Sequence, residues 1–355
     1  MEGEVPGEQP MRPVAALRAG LATGCGSLPH TDADVAVELV LDALGDCPSA
    51  PTLPNRHVAE GMLGQAAFGM AGVAIAPDGS LVVDDPDELD PEAPGIDDAL
   101  PAEAFGATLA FLDHLAATGA RPAVVKLQCT GPVTLATALI AAGVPPRRAQ
   151  PAANLAARRR AKALVAAAKA RLAPGTPLLV VVDEPSIGAA TLGRSSIGPE
   201  DAVDLVSGTL AALEAHAVAG IHCCAPADWA MVLRAGPALL SFPLTVANTV
   251  RAADLGPFLE NGGWVAWGAV PTDGPLGPLD GGGEARLWRH LAERWHTLAD
   301  GGVDPVLLRQ RALVTPACGL ARHDETQAAL ALRLTAALGE RISAGTERAA
   351  HRMNG

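Results

Sequence analysis

Short apolar runs bounded by Gly or Pro alternate with longer helix-patterned runs from about residue 20 to about residue 340. This alternation constrains the fold more than any other property of the chain. Strand candidates fall at 20–26, 71–76, 122–128, 177–183, 219–224, 238–242, 263–269 and 311–316. Helix candidates follow at 32–44, 101–118, 132–142, 148–173, 199–216, 226–234, 251–261, 283–300 and 323–340. Eight strands in such alternation predict an α/β fold of the (β/α)8 TIM-barrel type, although an open doubly wound sheet fits the same pattern. The strand ends favour the barrel. Polar and Gly-rich motifs stand just after six of the runs, among them Gly24-Cys25-Gly26-Ser27, Asp183-Glu184-Pro185 and His222-Cys223-Cys224. In a barrel all these ends meet on one face, where active sites of that fold lie.

The organisation expected is one catalytic domain over 20–340, with a flexible tail at 1–19 and another at 341–355. The Asp- and Pro-rich stretch 78–100 reads as a solvated insertion. Arg147, Arg148, Arg158, Arg159 and Arg160 read as a solvated helix face. Trp264 and Trp267 read as packing residues. With 355 residues and 49% hydrophobic content, the chain can bury a sizeable core. A net charge of −13 and a pI near 5.1 argue against nucleic acid or an anionic membrane as partner. No uninterrupted apolar run reaches the ~18 residues that a membrane span needs. The start shows no basic-then-apolar signal region, and six cysteines in so long a chain do not make a disulfide scaffold. A cytoplasmic setting is the expectation.

Two separated segments carry metal-ligand chemistry. His222 and Cys224 are two apart on a predicted strand, so both face one side while Cys223 faces the other. Cys318 follows another apolar run and can approach from a neighbouring strand. One imidazole and two thiolates favour zinc, and three protein ligands are the number of a catalytic site with an open position.

Taken in order, Thr23-Gly24-Cys25-Gly26-Ser27-Leu28-Pro29, Thr130-Gly131-Pro132-Val133-Thr134, Asp183-Glu184-Pro185, His222-x-Cys224 and Thr315-Pro316-Ala317-Cys318-Gly319-Leu320 resemble cobalamin-independent methionine synthase. The resemblance is to its C-terminal catalytic domain and to short single-domain relatives, and it spans about 20–340. It implies a zinc ion held by His222, Cys224 and Cys318 that binds the thiol of homocysteine for methylation. It implies that Ser27 belongs to the loop receiving the amino acid's carboxylate, and that Asp183 pairs with its ammonium group. The family's glutamate ligand on the strand after His-x-Cys is missing, since Leu240-Ser241-Phe242-Pro243 stands there. The family's histidine beyond the seventh strand is missing too, which leaves Asp273 as the nearest titratable group to handle the proton on the departing methyl carrier. Methyltetrahydrofolate or a methyl-corrinoid protein is the implied methyl donor. A uroporphyrinogen decarboxylase-like barrel and a catalytically degenerate barrel are the alternatives.

Overall fold

The computed structural model describes residues 13–277 and 283–354. Its centre is a parallel sheet of six neighbouring strands in chain order: β3 (Val125–Thr130), β4 (Leu178–Asp183), β5 (Val218–His222), β6 (Leu239–Pro243), β7 (Trp264–Val270) and β8 (Ala312–Pro316). Nearly every residue in these strands is buried, as expected for a parallel sheet covered on one face by helices and closed over its own interior on the other.

Two irregular segments carry the hydrogen bonding past the edges of this sheet. Residues 20–23 bond to β8, with the Gly20 amide donating to the Ala312 carbonyl at 2.8 Å and the Thr23 amide to Val314 at 3.0 Å. Residues 46–50 bond to β3, where the Lys126 amide donates to Pro48 and the Ala50 amide to Lys126. The two segments meet each other through the Leu28 amide to Thr52 at 3.0 Å and the Thr52 amide to Gly26 at 3.1 Å. The sheet is therefore curled, and backbone bonds link its two edges.

The expected strand at 71–76 lies elsewhere. Val73–Ile75 (β1) pairs antiparallel with Leu81–Val83 (β2) in a separate hairpin, closed by a turn in which the Asp78 carboxylate accepts from the Ser80 amide and hydroxyl. The edge of the large sheet is occupied instead by 46–52. That segment contains Pro48 and Pro51, which have no N–H to donate, so it pairs sparsely and reads as a loop in the sequence.

The helices cover the outside. In chain order they are α1 (Ala33–Ala43), α2 (Met62–Ala67), α3 (Ala102–Thr118), α4 (Pro132–Ala141), α5 (Pro146–Arg171), α6 (Ile187–Thr191), α7 (Pro199–Glu214), α8 (Trp229–Arg234), α9 (Ala252–Glu260), α10 (Gly283–Asp300), α11 (Pro305–Gln310) and α12 (Glu325–Asn354). Asp32 opens α1, its carboxylate accepting from the amides of Asp34 and Val35. No described helix is long and apolar enough to cross a membrane.

Both chain-end expectations need qualification. Residues 1–12 lie outside the described part. Of the remainder of the expected tail, Leu17 is buried and packs with Leu21, Val124, Leu179, Val218, Leu239 and Leu313 in the cluster that fills the N-terminal end of the sheet's interior. Burying such a leucine is worth about 2 kcal/mol, enough to hold a short segment in place. At the other end α12 runs on through 341–354, because Leu334, Leu338 and Ile342 recur every four residues and all three are buried. The insertion is also more than solvated chain: Leu81, Leu89 and Ile96 are buried. The arginines expected on a solvated face fasten it. From α5, Arg148 donates to the Leu89 carbonyl at 3.0 Å, Arg159 to Ile96 at 2.8 Å and buried Arg160 to Phe68. Arg147 and Arg158 are exposed, as expected.

Candidate metal centre

The interior is apolar at the N-terminal end of the strands and polar at the C-terminal end. In-register pairing decides which polar groups meet. Thr130 lies opposite Asp183, Asp183 opposite His222, and His222 opposite Ser241. Four neighbouring strands, β3 to β6, thus bring polar side chains to one level of the sheet.

His222, at the end of β5, and Cys224, two residues on, share a side as their spacing requires. Cys318 comes in from the turn after β8. One ligating atom from each of the three lies within 4.8 Å of the other two. A tetrahedral zinc site with Zn–S bonds near 2.3 Å separates two sulfurs by about 3.8 Å, so this donor set fits such an ion. A second observation agrees. His222 is buried, its Nδ1 lies 2.9 Å from the Ser241 hydroxyl, and its Nε2 has no hydrogen-bond partner. With Nδ1–H donating to Ser241, Nε2 keeps a free lone pair, the arrangement of a metal-ligating histidine.

The two thiols are unlike. Cys318 is pulled down to about 4, chiefly by the Cys224 thiol and by His222, while Cys224 is pushed up by the same contact and by burial. Of the two sulfurs, Cys318 is the one that loses its proton first. The remaining cysteines stand apart. Cys223 is buried on the opposite face, with its thiol facing the Ala225 carbonyl at 3.3 Å. Cys25 faces the Pro316 carbonyl, and burial pushes it up to about 12. Neither Cys25 nor Cys129 joins the three-residue cluster.

The other expected site residues separate into two sets. Asp183 ends β4 at the cluster. Burial raises its carboxyl above the ordinary range, and the positive charge of Lys126 partly offsets this. Ser27 is part-buried against the Cys318 turn: its carbonyl accepts from the Leu320 amide at 2.8 Å, and its hydroxyl occupies the space a Cβ on Gly319 would need. The two residues are thus in close approach, and a side chain at 319 would displace the Ser27 hydroxyl. Asp273, by contrast, is exposed on the loop after β7 and does not line the cavity beside His222.

Several residues of this region escaped the sequence reading. Ser241 is one, and Lys126 another: it is buried within β3 and faces the same interior as Asp183. Glu184 is a third. It is fully buried and receives the Val133 amide, the Thr134 amide and the Thr134 hydroxyl at 2.6–2.8 Å, so it caps the start of α4. The motif Asp183-Glu184-Pro185 thus splits its two acids between site and scaffold. Trp267 packs among Phe242 and Trp295, as expected for a core residue.

Comparison with protein-family profiles and with curated protein sequences returns no match. Among solved structures the fold is shared. The chain superposes on a methyltransferase from Methanosarcina mazei with a TM-score of 0.54, covering 88% of this chain and 86% of that one at 15% identity. At that identity the likeness is one of architecture, and the chemistry rests on the side chains present here.

Proposed function

We propose that this protein is a zinc-dependent S-methyltransferase, built on a (β/α)8 barrel whose first two staves are the irregular segments 20–28 and 46–52. Its methyl acceptor is the thiol of homocysteine or of a related small thiol. The observation that carries this reading is the meeting of His222, Cys224 and Cys318 within 4.8 Å, together with a buried Nε2 on His222 that has no hydrogen-bond partner. The likeness of fold to a methyltransferase supports the reaction class.

A bound zinc ion would supply the positive charge that keeps an acceptor sulfur as its thiolate at neutral pH. The residues of the chain do the remainder. Ser241 holds the His222 ring in one tautomer and orientation. Asp183, beside the cluster, offers a carboxylate to an ammonium group on the acceptor and so fixes where its sulfur lies. Ser27, seated against Gly319, shapes the rim over Cys318. The acceptor sulfur forms its bond to the methyl carbon as the bond from carbon to the carrier breaks, in line. The acceptor gives up its thiol proton, and a nitrogen-type carrier takes one up. Positioning is the main contribution the protein can make to such a displacement. Asp273, exposed on the β7 loop, is the group assigned to the carrier's proton.

The methyl donor is methyltetrahydrofolate or a methyl-corrinoid protein. β6 presents Ser241 to His222 where the resembling family has a glutamate, and the donor side is where this chain departs most from that family. Transfer from methylcobalamin without transfer from methyltetrahydrofolate assigns the corrinoid; the reverse assigns the folate. The metal reading is tested by elemental analysis: about one zinc per chain is expected, and Cys318→Ser should lose most of it. Protein without zinc, and unchanged by that substitution, would end the proposal.

A further inference from the structure

Two of the three side chains in the metal cluster can also bond to each other. The chain has six free cysteines, of which Cys47, Cys129 and Cys223 are buried and Cys25, Cys224 and Cys318 are part-exposed. Cys25 turns its thiol to the Pro316 carbonyl at 3.3 Å and stands outside the cluster. Cys224 and Cys318 remain, with their sulfurs within 4.8 Å of each other and both residues open to solvent in part. They come from different strands. Cys224 stands two residues past the end of β5, and Cys318 two residues past the end of β8. Closing the gap to the ~2.05 Å of a disulfide asks for up to ~3 Å of movement. Shared between two side chains, that is within the reach of rotation about their Cα–Cβ bonds.

We infer that Cys224 and Cys318 form an oxidation site: a hydroperoxide joins their sulfurs in a disulfide, which takes the metal centre apart reversibly. One sulfur, as its thiolate, attacks an oxygen of the hydroperoxide. The O–O bond breaks, the sulfur becomes a sulfenic acid, and hydroxide or alkoxide leaves to take up the proton that sulfur gave. The second sulfur, giving up its own proton, then attacks the first; the S–O bond breaks and water leaves. Two thiols and one hydroperoxide thus give one disulfide, one water and one further water or alcohol. A second sulfur this close resolves the sulfenic acid before another oxidant molecule arrives, so no higher acid is expected. Zinc binds thiolates and a disulfide has none, so the bridge and the ion exclude each other. Exchange with a small thiol opens the bridge and restores both ligands. This goes beyond the proposed methyl transfer and shares with it only the donor set; the bridge needs no bound ion to form.

The test is hydrogen peroxide added to the zinc-loaded full chain, with released zinc followed by a chromogenic chelator and the cysteines mapped on unreduced peptides. Bound zinc should fall at least about tenfold as a Cys224–Cys318 bridge forms, with the mass lower by two hydrogen atoms. Dithiothreitol with added zinc should restore the metal content. Cys25→Ser should change neither result. Cys224→Ser should form no bridge and leave Cys318 as a sulfenic acid that dimedone captures. Cys318→Ser should give the mirror result on Cys224, and it carries the test if Cys224→Ser does not fold. The inference is overturned if wild-type Cys318 accumulates as sulfinic or sulfonic acid without a bridge, if it bridges to Cys25, or if zinc leaves while both thiols stay free. If the purified protein holds no zinc, the methyltransferase reading falls by itself. Peroxide should still form the same bridge in that metal-free protein, and its failure to do so overturns this inference as well.

Discussion

The Nδ1 atom of His222 lies 2.9 Å from the hydroxyl of Ser241 across the β5–β6 pairing, and this contact leaves Nε2 as the ring nitrogen without a hydrogen-bond partner. Ser241→Ala removes the acceptor that selects the tautomer without touching any of the three ligands. Outer contacts of this kind are worth about 10- to 100-fold in metal affinity. Competition with a zinc chelator should show a loss in that range, with the far-ultraviolet circular dichroism unchanged.

Reactivity of the cysteines should depend on pH in an unusual order. Contacts with Cys224 and His222 hold Cys318 below the ordinary thiol range, so its alkylation by iodoacetamide in metal-free protein should rise much less steeply from pH 5.5 to 8 than that of an ordinary thiol. An ordinary thiol gains about tenfold in rate per pH unit over that range, since its thiolate fraction rises tenfold. Cys25, Cys47 and Cys223 are pushed up to about 12, 11 and 11 by burial and should resist. Peptide mapping after brief alkylation reads the order directly, and prior loading with zinc should protect Cys318.

Gly319→Ala puts a methyl group where the Ser27 hydroxyl now sits. The Ser27 hydroxyl must rotate to another rotamer, and its Cβ, 3.3 Å from the added methyl group, must give by a few tenths of an ångström. The expected outcome is a zinc affinity within a few-fold of wild type in chelator competition, in a protein whose melting temperature falls by only a few degrees.

Arg160 reaches from α5 under the insertion to the Phe68 carbonyl and lies 5.6 Å from the centre of the Phe105 ring. Arg160→Leu removes the donor from that part-buried carbonyl, at a cost of about 1–2 kcal/mol. The loss should appear first as faster amide exchange in 68–100, measured by mass spectrometry, while the strands β3–β8 stay protected.

Much of the architecture was legible in the chain. The six strands β3–β8 and the helices after them stand close to where the apolar runs and their Pro, Gly and Asp boundaries put them, because those signals act over a few residues. Positions 46–52 were not legible. Pro48 and Pro51 make them look like a loop, and only the pairing of Ser49 with Lys126 and of Thr52 with Ser27 gives them a strand's place. The hairpin at 73–83 misled for the opposite reason: its apolar run is strand-like, but its partner is its own neighbour across the Asp78-Gly79 turn.

The same division runs through the site. Spacing alone put His222 and Cys224 on one face and Cys223 on the other, since side chains alternate along any strand. That Cys318 would reach them, that Ser241 would hold the ring, and that Lys126 and Asp183 would share a cavity depended on the register of separate strands and on the curl of the sheet. Register and curl are set by packing across the whole interior, and no local run of residues encodes them.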